Sequence, residues 1–95
     1  MNHTDTIKDI SIKLGQAPDL FLNESIRYYL ERKLKEYEFE LLSMKLKYQI
    51  NTIEEFENLF FNGTVEESAA MDDFKKFDLF SYRIDEINEY LKQPS

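Results

Sequence analysis

The chain has 95 residues, with eight Phe, six Tyr, two Gly, two Pro, no Cys and a net charge of −7. This length suits a single domain, 1–95, and the scarcity of Gly and Pro disfavours an all-β fold, which needs many tight turns. The absence of Cys excludes disulfides, thiolate catalysis and cysteine-ligated zinc. No stretch has the apolar length that a membrane span needs, and the first residues lack a signal peptide, so we expect a cytoplasmic protein with no membrane contact.

The negative charge is concentrated in the second half of the chain. Residues 1–50 contain eight Lys or Arg and eight Asp or Glu, whereas residues 51–95 contain four and eleven and hold the whole net charge. This acidic half is expected to repel nucleic acid and to attract a basic protein surface. The alternative is that the acids only keep a small protein soluble.

The first segment, residues 1–18, is predicted to form a separate N-terminal arm. Ile10, Ile12 and Leu14 alternate with polar residues as in a strand, while Ile7, Ile10 and Leu14 also fit one face of a helix. The alternation favours a strand-like or extended arm, and a short helix is the alternative.

A long helix is predicted from about 19 to 50, because a heptad pattern of apolar residues runs through this segment without Gly or Pro. Such a helix spans about 45 Å, which is more than a compact domain of this size needs. We therefore predict that its apolar seam packs at least partly against a second copy of the chain. The seam residues predicted for self-association are Leu34, Tyr37, Leu41 and Met44. Phe39, Leu42 and Leu46 are predicted to lie beside the seam and to widen it.

Two further helices follow the long one. A short helix is predicted at about 53–61, because Thr52 and Glu55 have the spacing of a capping box at its start. A C-terminal helix is predicted at about 69–92, where apolar residues recur every three or four positions. The predicted fold class is therefore all-α, with the C-terminal helix folded back on the long one.

The sequence offers no set of residues that could carry catalysis. His3 is the only histidine, and a metal site without Cys would consist of carboxylates alone. Adjacent acids such as Asp72 and Asp73 point about 100° apart on a helix and do not by themselves converge on one site. A phosphate-binding loop or a nucleophile elbow needs more glycines than the two present. We predict a protein that is not an enzyme and that binds no metal or cofactor.

Aromatic residues and acids occur together in the C-terminal half of the chain. Apolar anchors within a charged rim are typical of a protein–protein interface, although aromatics at helical spacing also commonly form a core. Both interpretations stay open for the aromatic residues. The predicted partner-binding residues are Glu66, Glu67, Asp72, Asp73, Phe74, Phe77, Phe80 and Tyr82.

Residues 22–92 contain, in this order, a long Glu/Lys-rich helix, the pair Lys47-Tyr48 at its end, a short helix with Glu54-Glu55-Phe56, a stop at Gly63, an acidic patch and an aromatic last helix. This order of segments resembles a group of small prokaryotic antitoxins that accompany ribonuclease-type toxins. Two features differ, because Gln49 stands where that group often has Gly, and the last helix lacks the Trp that the group often has.

The resemblance implies a protein that binds and masks a toxin, and that in some members binds operator DNA through an N-terminal element. In this arm, Lys8 and Lys13 are few for DNA binding unless a dimer doubles them. We therefore expect a non-enzymatic antitoxin, homodimeric, whose partner is a basic protein such as a ribonuclease toxin. The rival hypotheses are a homo-oligomeric helical structural or adaptor protein and a DNA-mimicking inhibitor whose acids replace phosphates.

Overall fold

The computed structural model describes residues 3–94, and every regular element in this range is α-helical. Four helices follow one another: α1 (His3–Lys13), α2 (Pro18–Tyr48), α3 (Ile53–Phe61) and α4 (Glu67–Leu91). The predicted all-α class is confirmed, and so are the long, short and C-terminal helices, with ends that shift by at most two residues. Predictions for residues 1, 2 and 95 lie outside the described range.

The helix ends follow from the local sequence. Pro18 opens α2, where its missing N–H would have had no helical partner, and Gln49 ends it in a left-handed conformation with φ of 55°. Glycine is the usual residue at such a position. At the start of α3, the Thr52 hydroxyl accepts a hydrogen bond from the Glu55 N–H at 3.1 Å, and the Glu55 carboxylate accepts one from the Asn51 N–H at 2.7 Å. The predicted capping interaction of Thr52 is confirmed. In the usual capping box the Glu carboxylate would accept from the N–H of Thr52, whereas here it accepts from the N–H of the preceding residue, Asn51.

The N-terminal arm is a helix, so the favoured strand-like interpretation is wrong and the helical alternative is right. Within residues 3–94 there is no strand with which the arm could pair. A lone strand would leave its backbone N–H and C=O groups without protein partners, whereas a helix pairs them internally. α1 packs against α2 with Ser11 fully buried, and Gln16 in the connecting loop donates a hydrogen bond to Glu24 at 3.3 Å.

α4 folds back along α2 in the antiparallel direction. Near one end of the pair, the Arg27 guanidinium donates a hydrogen bond to the Leu91 carbonyl at 3.1 Å. Further along, the rings of Tyr37 and Phe80 lie 5.2 Å apart between their centroids. The two longest helices of the described chain therefore pack their apolar faces against each other.

The seam predicted for self-association is covered by α4 of the same chain. Met44 is buried, and Leu34, Tyr37 and Leu41 are half-buried. α2 has 31 residues and lies beside α4, which has 25 residues. The heptad face of α2 therefore packs against apolar residues of the same chain. The seam thus faces α4 of its own chain, and its self-association stays a prediction.

Phe39, Leu42 and Leu46 lie on the opposite side of α2 and do not widen the seam. Their side chains are 68%, 53% and 70% exposed. At 100° per residue, Leu46 is displaced by about 160° from Met44 around the helix axis. We refer to these three residues as the outer stripe.

The hydrophobic core lies at the corner where α2, α3 and α4 meet. Its buried members are Met44, Ile50, Phe56, Ala70 and Phe77. From this corner, the other ends of α2 and α4 extend as a thin pair of helices. The molecule is accordingly elongated, with extents of 59 × 28 × 17 Å and a radius of gyration of 19.2 Å. A compact chain of this length would have a radius of gyration of about 12 Å.

Candidate functional site

An apolar groove of about 450 Å³ opens at the corner, on the side where the end of α3 meets the start of α4. The rings of Phe60 and Phe74 form its floor, packed edge to face with centroids 5.4 Å apart. Phe61 stands at the edge with 85% of its surface exposed. A phenylalanine this exposed buries little surface in the fold of its own chain, so it is available to anchor a partner.

The rim of this groove is acidic. Glu57 contributes a carboxylate from α3 and Glu67 contributes one from α4, and none of the described residues that line the groove is basic. Glu66 and Asp72, which neighbour the groove residues along the chain, are exposed as well. We call the groove with these four acids the acidic aromatic groove.

The structure separates the predicted aromatic anchors into different environments. Phe77 is 2% exposed and belongs to the core, so it cannot serve as a surface anchor. Phe80 is half-buried against Tyr37, whereas Phe74 is half-buried at the base of the groove. Of the three, only Phe74 lies where the acids and a free aromatic ring come together.

Tyr82 is 60% exposed and lies further along α4. It lines a neighbouring depression together with Phe74, Lys75, Asp78 and Leu79. Because Phe74, Asp78 and Tyr82 are spaced four residues apart, they form one face of α4. This depression extends the aromatic surface from the acidic aromatic groove towards the middle of the helix.

Asp73 has a structural contact that distinguishes it from the other predicted acids. One of its carboxylate oxygens accepts hydrogen bonds from the Tyr48 hydroxyl at 2.6 Å and from the Lys47 ammonium at 2.9 Å. These two donors, with the Tyr48 bond first, hold the pKa of Asp73 below its ordinary value. Asp73 therefore joins α4 to the end of α2, and its charge is largely engaged within the chain.

This contact predicts a specific dependence of stability on pH. Because the folded-state pKa of Asp73 is lowered from 3.8, the carboxylate stabilises the fold above that value and loses its contribution as the pH falls through the folded-state pKa. We expect Asp73→Asn to lower the free energy of unfolding at neutral pH by about 1.5 kcal/mol. The same variant should show a correspondingly smaller loss of stability on acidification, measured by urea unfolding.

The neighbouring Asp72→Asn is the matched control, since Asp72 is exposed. Its stability should stay within about 0.5 kcal/mol of the wild type at neutral pH. Identical acid profiles for the two variants would contradict the assigned role of Asp73.

Several groove residues were not among the predicted site residues. Glu57, Phe60 and Phe61 occupy positions i, i+3 and i+4 of α3, and Met71 lies four residues after the predicted Glu67 on α4. These spacings place each set on one face of its helix, which is the signal that could have identified them. The sequence does not indicate that the two faces meet.

A second groove of about 580 Å³ lies between α2 and α4, far from the corner. Its lining includes Tyr29 and two cations, Lys33 and Arg83. Each cation is already paired on its own helix: Lys33 with Glu36 at 3.2 Å and Arg83 with Glu86 at 2.7 Å. Because these charges are locally compensated, this groove is a weaker candidate for a charged ligand than the acidic aromatic groove.

Every helix within residues 3–94 is too short or too polar to span a bilayer. No three or more acidic or histidine side chains in this range are grouped so that they could hold a metal ion. Comparison with curated proteins and with solved structures gives no match. The model of one protein family, described as the uncharacterized protein MJ0235 family, matches residues 1–94. Since this match covers almost the whole sequence, the chain belongs to the MJ0235 family.

Proposed function

We propose that the protein is a non-enzymatic binding protein that holds a basic protein partner in the acidic aromatic groove. The observation that carries this proposal is the exposed ring of Phe61 beside the floor formed by Phe60 and Phe74, with Glu57 and Glu67 on the rim. Buried aromatic anchors supply most of the affinity in protein interfaces, and surrounding charges select the partner. The partner would carry an apolar side chain flanked by Lys or Arg.

The charge distribution supports the same location. Residues 51–95 carry the whole net charge of −7, so the electrostatic field is strongest in the half that contains the groove. Such a field accelerates the encounter with a basic protein and slows the encounter with nucleic acid. It acts mainly on the rate of association, whereas contacts at the aromatic ring act on the rate of dissociation.

The more specific proposal is that the partner is a ribonuclease-type toxin, which the protein masks as an antitoxin. It rests on the resemblance of residues 22–92 and on the match between an acidic groove and a basic RNA-cleaving enzyme. The DNA-mimic rival requires an even row of free carboxylates. That rival is disfavoured because Asp73, Glu86 and Glu89 are each paired with a Lys or Arg of the chain.

The first test is co-expression of the protein with the product of the adjacent gene, followed by purification through a tag on one of the two. An antitoxin is expected to retain a small basic protein whose ribonuclease activity is lost in the complex. A neighbouring product that is not retained, or that is retained with full ribonuclease activity, would contradict the antitoxin proposal.

Two sets of substitutions then test the acidic aromatic groove. Phe61→Ala is expected to accelerate dissociation of the retained partner, at a cost of about 2 kcal/mol or more if the ring is a hot spot. Neutralising Glu66, Glu67 and Asp72 to amides is expected to slow association and to reduce its salt dependence. Stopped-flow binding or surface plasmon resonance measures both rates.

Tyr29→Ala is the control for the aromatic substitution, since Tyr29 is 57% exposed on α2 in the neutral half of the chain. It should leave both rate constants unchanged. Circular dichroism must show native helical content for every variant. If Phe61→Ala and the triple neutralisation both bind as the wild type does, the groove is not the binding site.

A further inference from the structure

The outer stripe is an apolar surface that nothing in the described chain covers. Phe39, Leu42 and Leu46 are all more than half exposed, and their spacing of three and four residues aligns them along one face of α2. The opposite face of the same helix is covered by α4. α2 is therefore apolar on two opposite sides, which is typical of a helix that is also packed on its second side.

The total surface of the chain is too large for a compact monomer. Its accessible area is 7335 Å², whereas a compact protein of this mass has about 5,800 Å². The excess of about 1,500 Å² exceeds the roughly 800 Å² that each partner buries in a standard protein interface. One standard interface per chain would thus remove about half of this excess.

Charge favours a second copy of this chain as the occupant of the outer stripe. The stripe lies in residues 1–50, where basic and acidic residues balance, so two identical copies can meet there without net repulsion. The acidic half would repel its own copy and attract a basic partner instead. The two apolar surfaces thus suit two different occupants.

The α1–α2 loop, which follows the end of α1, lies at the other end of the same face. The hydrogen bond from Gln16 to Glu24 joins the α1–α2 loop to α2, and Glu24 precedes Leu42 by eighteen residues, which is five helical turns. Ile12, near the end of α1, is 68% exposed. An exposed apolar side chain near one end of the face and the outer stripe at the other would meet each other in two copies related by a two-fold axis.

We propose that two copies of the chain pack against each other through the outer face of α2. The copies run antiparallel, so that α1 of each copy approaches the outer stripe of its partner. The acidic aromatic grooves remain outside this interface, and each dimer therefore presents two of them. The dimer contact and the acidic aromatic groove share no residues, so either can be lost without the other.

Sedimentation velocity over a wide range of concentrations tests the proposal. The wild type is expected to sediment at twice the mass of the chain. The double variant Leu42→Glu/Leu46→Glu is expected to sediment as a folded monomer, with the dissociation constant raised at least a hundredfold. Ile12→Glu should weaken the dimer at least tenfold through the contact of α1.

Leu79→Glu is the matched control, because Leu79 is a similarly exposed leucine on α4, away from the outer stripe. It should remain dimeric, and circular dichroism should show the same helical content in all variants. A wild type that stays monomeric at every concentration would overturn the proposal, whether or not the stripe holds another protein. So would a dimer that survives in the double variant or dissociates equally in Leu79→Glu.

Discussion

Phe56→Ala is expected to leave the protein largely unfolded at 37 °C. Phe56 is 0% exposed, and its ring lies 4.6 Å from that of Tyr48, 5.6 Å from Phe60, 5.4 Å from Phe74 and 5.8 Å from Phe77. Removing a buried phenylalanine ring costs about 3–5 kcal/mol. Small domains have a total stability of about 5–15 kcal/mol, and residues 3–94 of this thin molecule form a substantial core at only one corner.

Phe61→Ala is the matched control for this substitution. Both residues belong to α3 and lose the same ring, but Phe61 is 85% exposed. Its free energy of unfolding, measured by urea titration followed by circular dichroism, should stay within about 0.5 kcal/mol of the wild type. Equal losses in the two variants would contradict the placement of the core around Phe56.

The helices could be predicted because the spacing of apolar residues indicates each helix and local capping residues mark several of the helix ends. Apolar residues recur at three and four positions through α2 and α4, and Thr52 with Glu55 marks the start of α3. These signals depend only on neighbours along the chain. The all-α class followed from them together with the scarcity of Gly and Pro.

The N-terminal arm could not be predicted reliably because its apolar residues fit both the two-residue repeat of a strand and the three-to-four-residue repeat of a helix. Ile10, Ile12 and Leu14 alternate as in a strand, yet this segment forms α1 and leaves all three exposed, while Ser11 is buried. A strand becomes stable only when another strand completes its hydrogen bonds. The sequence of a single arm does not say whether such a partner is present.

The candidate site was only partly predictable, for a related reason. Glu66, Glu67, Asp72 and Phe74 were recognised from composition and Glu57 was not, because the groove forms between two helices whose relative orientation depends on the packing of the core. The same limit explains the different environments of Phe74, Phe77 and Phe80. A helical spacing assigns residues to a face, but only the tertiary structure determines how deeply each is buried.

The seam of α2 shows that a helical spacing identifies an apolar face but not the helix that packs against it. A heptad pattern is the same whether the partner helix comes from the same chain or from another one. In this structure the partner is α4, and Met44 of the seam is 6% exposed within the core. Met44→Asp is therefore expected to destabilise the folded monomer itself, whatever the oligomeric state.

The expected size of this effect follows from burial of an uncompensated charge. An unpaired buried carboxylate lowers the free energy of unfolding by about 3–5 kcal/mol, because the group must either lose its hydration or take up a proton when it is buried. The helical signal of Met44→Asp should be strongly reduced at 25 °C and should not recover when the protein is concentrated. Part of the signal should return at acidic pH, where protonation removes the charge, provided that the Asp73 contact is still ionised.

Leu46→Asp supplies the comparison, because it introduces the same side chain two residues away on the opposite side of α2. Leu46 is 70% exposed, so the new carboxylate stays hydrated and the helical signal is retained. The charge should instead weaken association through the outer stripe, which sedimentation detects without any loss of helix. A Met44→Asp protein that is folded but fails to dimerise would contradict this assignment. The seam would then be the contact between two copies, and α4 would not cover it.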